Sequence, residues 1–375
     1  MVSARRPGCH PVARPDQDSH ATPADPRGTT RRVASVARVR VDQFLGPRLD
    51  GAADRARTIE ATGFDGLFTA EAAHGPFLPL ALAAEHTRHV TLITNVAVAF
   101  ARSPLDLAQV ANDLQRLSGG RFVLGLGTQI RPHIESRYSM RWSGSPVGQM
   151  RDLVEAIRAI QTAWQDRTPL DHRGEHYHHT LMTPMFDPGP NPFGPPPVWL
   201  GALGPKMCRL AGEVADGVLV HPFHSGRYVR DVVAPHVEEG RTAAGRTTSF
   251  TVHACPIVCT GSTDEERERA EVGVRGLLAF YGSTPAYRVT LDAHGWGDLQ
   301  PELRALTKAG RWADLPSLLT DEIVEALVVR GEPGQIASRL EERYAGTVDR
   351  VGLSLPYEAS PATVAEIARG FHPTT

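Results

Sequence analysis

The sequence predicts an α/β chain folded as a single (β/α)8 TIM barrel. One observation is a rhythm of apolar strand, Gly-bearing turn and amphipathic helix, repeated about eight times between Val36 and Gly370. The second is the make-up of the strands. Runs such as Gly66-Leu67-Phe68-Thr69-Ala70, Val90-Thr91-Leu92-Ile93-Thr94 and Phe122-Val123-Leu124-Gly125-Leu126 are nearly continuous in apolar residues. Strands buried on both faces read this way, and they belong to parallel sheets covered by helices. Eight such units close most economically into a barrel whose active site lies at the carboxyl ends of its strands. Chemistry is therefore expected in the segments that follow each strand.

Composition bounds the rest. The chain has 375 residues, 41% of them apolar and 22% charged, with a net charge of -2. With a pI near 6.8, nothing points to nucleic acid or an acidic membrane as partner. The basic residues are nearly all Arg, the lysines being Lys206 and Lys308. Cys9, Cys208, Cys255 and Cys259 are too few and too scattered for a disulfide framework. Cys255 and Cys259 flank Pro256-Ile257-Val258, a spacing that places both on one strand face as buried thiols. Residues 1–35 are rich in Pro, Arg and His, without an apolar signal core, and read as a disordered extension or a mis-assigned start. No run of 18 apolar residues exists, so no membrane span is expected and a cytoplasmic location is.

The elements follow in order. The first strand covers residues 37–44, and its helix, residues 49–62, stops at Gly63, a C-cap signal. The second strand ends at Glu71, and Gly75-Pro76 leads into a helix from Phe77 to His86. The third strand ends at Asn95-Val96, and Ser103-Pro104 opens the next helix, with Pro at its first position. After the fourth strand, residues 121–128, comes a polar excursion and a helix over residues 148–164. Residues 171–197 read as a hairpin followed by an irregular loop. The fifth strand is residues 198–200, with its helix from Pro205. The sixth spans 217–220, the seventh 250–258 and the eighth 349–355, and a helical insertion occupies about 284–330. Residues 36–375 are thus expected to be one barrel domain.

Several strand ends carry candidate chemistry. Trp199-Leu200-Gly201-Ala202-Leu203-Gly204-Pro205-Lys206-Met207 runs from strand through a Gly turn into a helix. Free backbone N–H groups and the helix dipole at such a point favour a phosphate, and Lys206 adds charge. A plain strand-to-helix turn is the competing reading. Gly125-Leu126-Gly127-Thr128 allows close backbone contact with a flat or phosphorylated ligand, though barrel packing explains it nearly as well. Glu71 and His74 follow the second strand, where a carboxylate serves catalysis or a salt bridge about equally often. His133 and Glu135 lie in the loop after the fourth strand. The His-rich run of residues 171–179 lacks a zinc-type ligand pattern and alternates like a solvated hairpin, so no metal site is expected.

These segments resemble the luciferase-like monooxygenase superfamily, in particular its coenzyme F420-dependent oxidoreductase branch. The residues that carry the likeness are Leu67-Phe68-Thr69-Ala70-Glu71, Arg102-Ser103-Pro104, Ser118-Gly119-Gly120-Arg121-Phe122-Val123-Leu124-Gly125-Leu126-Gly127 and Ala211-Gly212-Glu213-Val214-Ala215-Asp216-Gly217. The resemblance extends over nearly everything from Val39 to Phe371. It implies a barrel of the bacterial-luciferase-like type with an insertion, binding a reduced deazaflavin or flavin at the strand ends. It also implies a non-prolyl cis peptide bond at Asn95-Val96 behind the ring. The backbone of Gly127 and Thr128 would flank that ring. The phosphate arm would lie along Gly201, Leu203, Gly204, Pro205, Lys206 and Met207.

The expected activity is hydride transfer between coenzyme F420 and a small organic substrate, with Glu71 or His74 orienting the substrate or shuttling its proton. Relatives that pair an acidic residue with an adjacent His after the second strand differ from Glu71-Ala72-Ala73-His74. An acidic residue expected after the fourth strand is replaced by Gln129. The alternative is a two-component monooxygenase using reduced FMN and oxygen. A non-redox barrel hydrolase and a non-catalytic cofactor-binding protein are further alternatives. The expected partner is a small-molecule substrate, and the resemblance adds a homodimer.

Overall fold

A computed structural model describes residues 38–372, so the extension expected over residues 1–35 lies outside the described residues. Eight parallel strands form the barrel: β1 (Arg40–Phe44), β2 (Gly66–Thr69), β3 (Thr91–Thr94), β4 (Phe122–Gly127), β5 (Val198–Ala202), β6 (Gly217–Val220), β7 (Thr251–Ala254) and β8 (Arg350–Gly352). Each pairs with the next. The ring closes where β8 lies beside β1, in register from Arg40 opposite Arg350 to Asp42 opposite Gly352. β3 pairs directly with β4 through Leu92 opposite Phe122 and Ile93 opposite Val123.

The surrounding helices include α1 (Ala52–Thr62), α2 (Phe77–His86), α3 (Pro104–Leu117), α4 (Pro146–Asp166), α5 (Pro205–Val214), α6 (Ala234–Ala243) and α7 (Asp264–Gly282). Local chemistry sets their ends. Gly63 closes α1 at φ 96°, a left-handed conformation that glycine takes without steric cost. The Ser103 hydroxyl accepts from the Asp106 amide and Pro104 occupies the first turn of α3, as the Ser-Pro pair predicts. Helix α2 has the bounds read from the sequence, whereas α4 begins two residues earlier and ends two later than expected.

The helices bury one large apolar cluster against the outside of the strands. A smaller one, made of Phe68, Ile93, Val123, Trp199 and Leu219, plugs the barrel from within. Both faces of each strand are therefore buried, which is why the strands read as apolar runs.

The seventh strand corrects the sequence reading. Residues 250–258 do not form one strand: β7 stops at Ala254, and Ile257–Cys259 pairs instead with Val328–Arg330 in a separate two-stranded sheet. Pro256 offers no N–H to continue the ladder. Cys255 and Cys259 consequently do not share a face. Cys255 meets the barrel interior, while Cys259 belongs to a second apolar cluster built with the inserted helices α8 (Leu299–Lys308) and α9 (Asp321–Leu327). The chain returns through α10 (Ile336–Tyr344) to β8 and ends in α11 (Pro361–Phe371).

Candidate active site

The peptide bond between Asn95 and Val96 is cis, as the resemblance implies. It joins the end of β3 to a two-residue strand, Ala97–Val98, that pairs with β4. Backbone bonds hold the segment on both sides: the Asn95 amide donates to the Thr69 carbonyl at 2.6 Å, and the Glu71 amide donates to the Val96 carbonyl at 3.3 Å. The Val96 side chain then reaches across the strand ends. A Cβ on Gly127 would lie 2.5 Å from Val96 Cγ2, and one on Gly201 would lie 3.1 Å from Val96 Cγ1. The valine leaves no room for a Cβ at Gly127 and crowds one at Gly201, so the packing reading of Gly-x-Gly accounts for Gly127 directly. Asn95, Val96, Gly127 and Gly201 therefore meet at one side of the barrel mouth.

Just past β5, Leu203 is buried and its carbonyl accepts from the Tyr228 hydroxyl at 2.9 Å. Gly204 caps α5 without offering a side-chain acceptor, and no heavy atom lies within 4 Å of where its Cβ would be. Pro205 has no N–H to satisfy. Lys206 is exposed, and Met207 is half-buried. The Met207 and Cys208 amides both donate to the Gly204 carbonyl at 3.1 Å, so the first turn of α5 presents the Lys206 amide, the positive end of the helix dipole and the lysine side chain beside open space. Thr128 is half-buried at the end of β4.

Glu71 is occupied. Its carboxylate accepts from both terminal nitrogens of Arg102 at 2.8 and 2.9 Å, from the Val98 amide at 2.7 Å and from the Tyr138 hydroxyl at 3.1 Å. Only 5% of its side chain is exposed. Of the two readings of this carboxylate, the geometry is that of a buried ion pair that fastens the Asn95–Val96 segment. Glu71→Gln should therefore lower stability by about 2 kcal/mol in urea denaturation, because it leaves Arg102 only the exposed Asp106 carboxylate, 4.0 Å away, as a counter-charge. His74 is exposed in the loop after β2. Glu135 pairs with Arg131 at 2.9 Å. Among the described residues no group of three or more metal-ligating side chains could hold an ion. In the His-rich hairpin, the Asp152 carboxylate takes His172 Nε2 at 2.6 Å and the Tyr177 amide at 3.0 Å.

Two further groups lie at the mouth and inside the barrel; of the first, His221 and His224 are well placed in the sequence after the sixth strand but have no second ligand pair there. His221 continues β6, where its ring stacks on Tyr287 with centroids 4.0 Å apart and meets Tyr281 edge-on at 4.7 Å. Its Nδ1 accepts from the Phe223 amide at 3.2 Å, so the ring hydrogen sits on Nε2. Burial, with His224 nearby, pushes His221 down to about 3, and burial raises both tyrosines. Neutral hydrogen-bond donors therefore face an aromatic wall, part of it supplied by the inserted segment.

His224, 1% exposed, donates from Nδ1 to the His221 carbonyl at 2.7 Å, and its Nε2 accepts from the Tyr344 hydroxyl at 2.7 Å. Burial pushes it down to about 4 from 6.5. The neutral ring is the folded form, so its contribution is complete above pH 6.5 and is lost as the pH falls toward 4. Lowering the pH to 5 should cost about 2 kcal/mol at this residue, an acid-side loss that His224→Asn would remove from a Tm-against-pH series.

The second group is a charged cluster inside the barrel. Asp42, wholly buried on β1, takes Arg350 from β8 through Nε at 2.9 Å and through a second bond from Nη2, and takes His253 Nε2 from β7 at 3.1 Å. Burial opposes the Asp42 charge, but Arg350 and His253 hold its carboxyl below the usual range. An aspartate between Val41 and Gln43 on β1, and a histidine at an inward position of β7, were the available signals. A separate cleft lined by Ser225, Arg227, His294 and Arg343 shares none of these residues.

Comparison with known proteins agrees with this layout. The model of the luciferase-like monooxygenase family matches residues 26–350. An uncharacterized protein of Mycobacterium tuberculosis is 50% identical over 320 residues, 85% of this chain and 94% of its own. The 5,10-methylenetetrahydromethanopterin reductase of Archaeoglobus fulgidus is 28% identical over 284 residues, 74% of this chain and 80% of its own. The fold superposes on the coenzyme F420-dependent tetrahydromethanopterin reductase of Methanopyrus kandleri with a TM-score of 0.72 at 22% identity, covering 89% of this chain and 98% of that one. Among the described residues no helix is long and apolar enough to cross a membrane. The barrel, its rim and these relatives together place the chain in the luciferase-like monooxygenase family, as an oxidoreductase.

Proposed function

We propose that this enzyme transfers a hydride between coenzyme F420 and a small organic substrate. The observation that carries the reading is the uncapped start of α5 at Gly204, open to solvent, beside the floor formed by Asn95, Val96, Gly127 and Gly201. A coenzyme with a phosphate arm and a flat ring suits that combination. The Lys206 amide and side chain would take the phosphate, with Leu203, Pro205 and Met207 shaping its bed. Val96, with Gly127 and Thr128 alongside, would back the ring. When bound, the deazaflavin supplies the hydride-carrying carbon; the barrel positions the substrate against it and keeps water out. A Mycobacterium tuberculosis relative described as a putative coenzyme F420-dependent oxidoreductase, 29% identical over 304 residues, supports the F420 reading.

Glu71 serves in this reading through Arg102 and Val98, holding the floor in place, and His74 is the exposed group able to enter the site from the β2 loop. Tyr281, Tyr287 and His221 would line the substrate side. The neutral donors there suit an uncharged carbonyl or alcohol better than a carboxylate.

Fluorescence titration of the purified protein with oxidised F420 and with FMN tests the assignment. Saturable F420 binding that inorganic phosphate competes away is the expected result. Tight binding of FMN alone, with oxygen uptake on adding reduced FMN, would replace hydride transfer with the monooxygenase reaction.

A further inference from the structure

A line of four side chains runs from the barrel interior to the ring floor. Asp42 is held by Arg350 on one side and by His253 Nε2 on the other. The other nitrogen of that imidazole, Nδ1, lies 3.9 Å from Cys255 Sγ, and Asn95 Nδ2 donates to the same sulfur at 3.0 Å. Asp42 and His253 are fully buried, and Cys255 is 4% exposed. With Nε2–H committed to Asp42, Nδ1 faces the sulfur, and the Asn95 amide donates to that sulfur from the other side. Burial disfavours charge on His253, yet the Cys255 sulfur and the Asp42 carboxylate push it up to about 9. The titratable groups around the sulfur are His253, Tyr281 and Tyr344, with Asp42 and Arg350 behind the imidazole. This is the nucleophile–base–orienter order of thiol enzymes, placed beside the cis peptide bond. The hydride-transfer reading gives it no role.

We propose that Cys255, backed by His253 and Asp42, is the proton-exchanging residue of the mouth and acts on a small alcohol or its carbonyl product. This rests on the function proposed above. In the oxidation direction a bound deazaflavin would supply the acceptor for the hydride that leaves the C–H bond, while Cys255 Sγ would take the hydroxyl proton as the C–O single bond becomes a carbonyl. Reduction runs the same transfers backwards. His253, itself held by Asp42, is a positioning residue that keeps the sulfur ready to accept. Asn95 ties that sulfur to the floor on which the ring would rest.

Alkylation by iodoacetamide, mapped by mass spectrometry, reads the sulfur without any turnover. Cys259 is the more exposed thiol at 9%, but burial and Glu271 push it up to about 11, and Cys208 is pushed up to about 12. In a Cys9→Ser background, Cys255 should nevertheless react first of these three, about 10-fold slower in His253→Gln, and F420 should protect it. Alkylation no faster than at Cys259, or a rate untouched by His253→Gln, overturns the proposal. So does F420 that binds without protecting. With F420 and a panel of short-chain secondary alcohols, Cys255→Ala should lose about 100-fold in kcat with KM and F420 affinity kept, and Cys255→Ser should recover part of it. Equal kcat in wild type and Cys255→Ala overturns the proposal as well. Failure of wild type to bind F420 or oxidise any alcohol overturns instead the function on which it rests, and the alkylation pattern tells the two failures apart.

Discussion

Replacing Gly204 with Asp should weaken coenzyme binding about 30-fold or more, roughly 2 kcal/mol, while leaving the protein as stable as before. Gly204 sits at φ -72° and ψ 153°, a conformation that any L residue adopts, and nothing lies within 4 Å of the added Cβ. A carboxylate there would cap the first turn of α5 from within, occupying the N–H that the proposed phosphate would use and adding a repelling charge. Helix capping works in the opposite direction on stability, so Tm should hold or rise slightly. Few substitutions separate binding from folding this cleanly. Titration with F420 beside a thermal melt checks both halves, and unchanged affinity in a folded variant would remove the phosphate from this helix end.

Asp42→Asn should cost about 3–5 kcal/mol, because it leaves the Arg350 and His253 charges buried without their carboxylate. Urea unfolding monitored by far-UV circular dichroism measures it, and a loss under about 1 kcal/mol would mean that the cluster is dispensable. The same cluster sets an alkaline limit. His253 binds its proton more tightly in the folded chain, about 9 against 6.5, so its stabilisation is complete below pH 6.5 and disappears as the pH rises through 9.

Periodicity made the barrel legible because both faces of each strand are buried, the outer by helices and the inner by Phe68, Ile93, Val123, Trp199 and Leu219. The exception, the seventh strand, failed at a single proline: apolar content continues through Pro256 while the hydrogen-bond ladder cannot. The rim around Gly204 was readable because a strand, a glycine turn and a Pro at the helix start are contiguous in sequence. Glu71 could be placed at a strand end, but not assigned. Its ion pair depends on Arg102 and Tyr138, 31 and 67 residues away. Asp42, His253 and Arg350 come from three strands that only closure of the ring brings together, separated by up to 308 residues. Spacing along the chain carries no trace of such contacts. Only the inward-outward alternation of β1 and β7 points to them, and short apolar strands hide that alternation.

The central claim is that the amino end of α5 grips the phosphate arm of a redox coenzyme whose ring lies over the Asn95–Val96 peptide. A crystal structure of the protein soaked with F420 tests it most directly. The account predicts phosphate density at Gly204, Pro205 and Lys206, with the ring against Val96 and Gly127. Coenzyme bound at another face, or none at this rim in a lattice that leaves it open, would contradict the claim even though the barrel itself would stand.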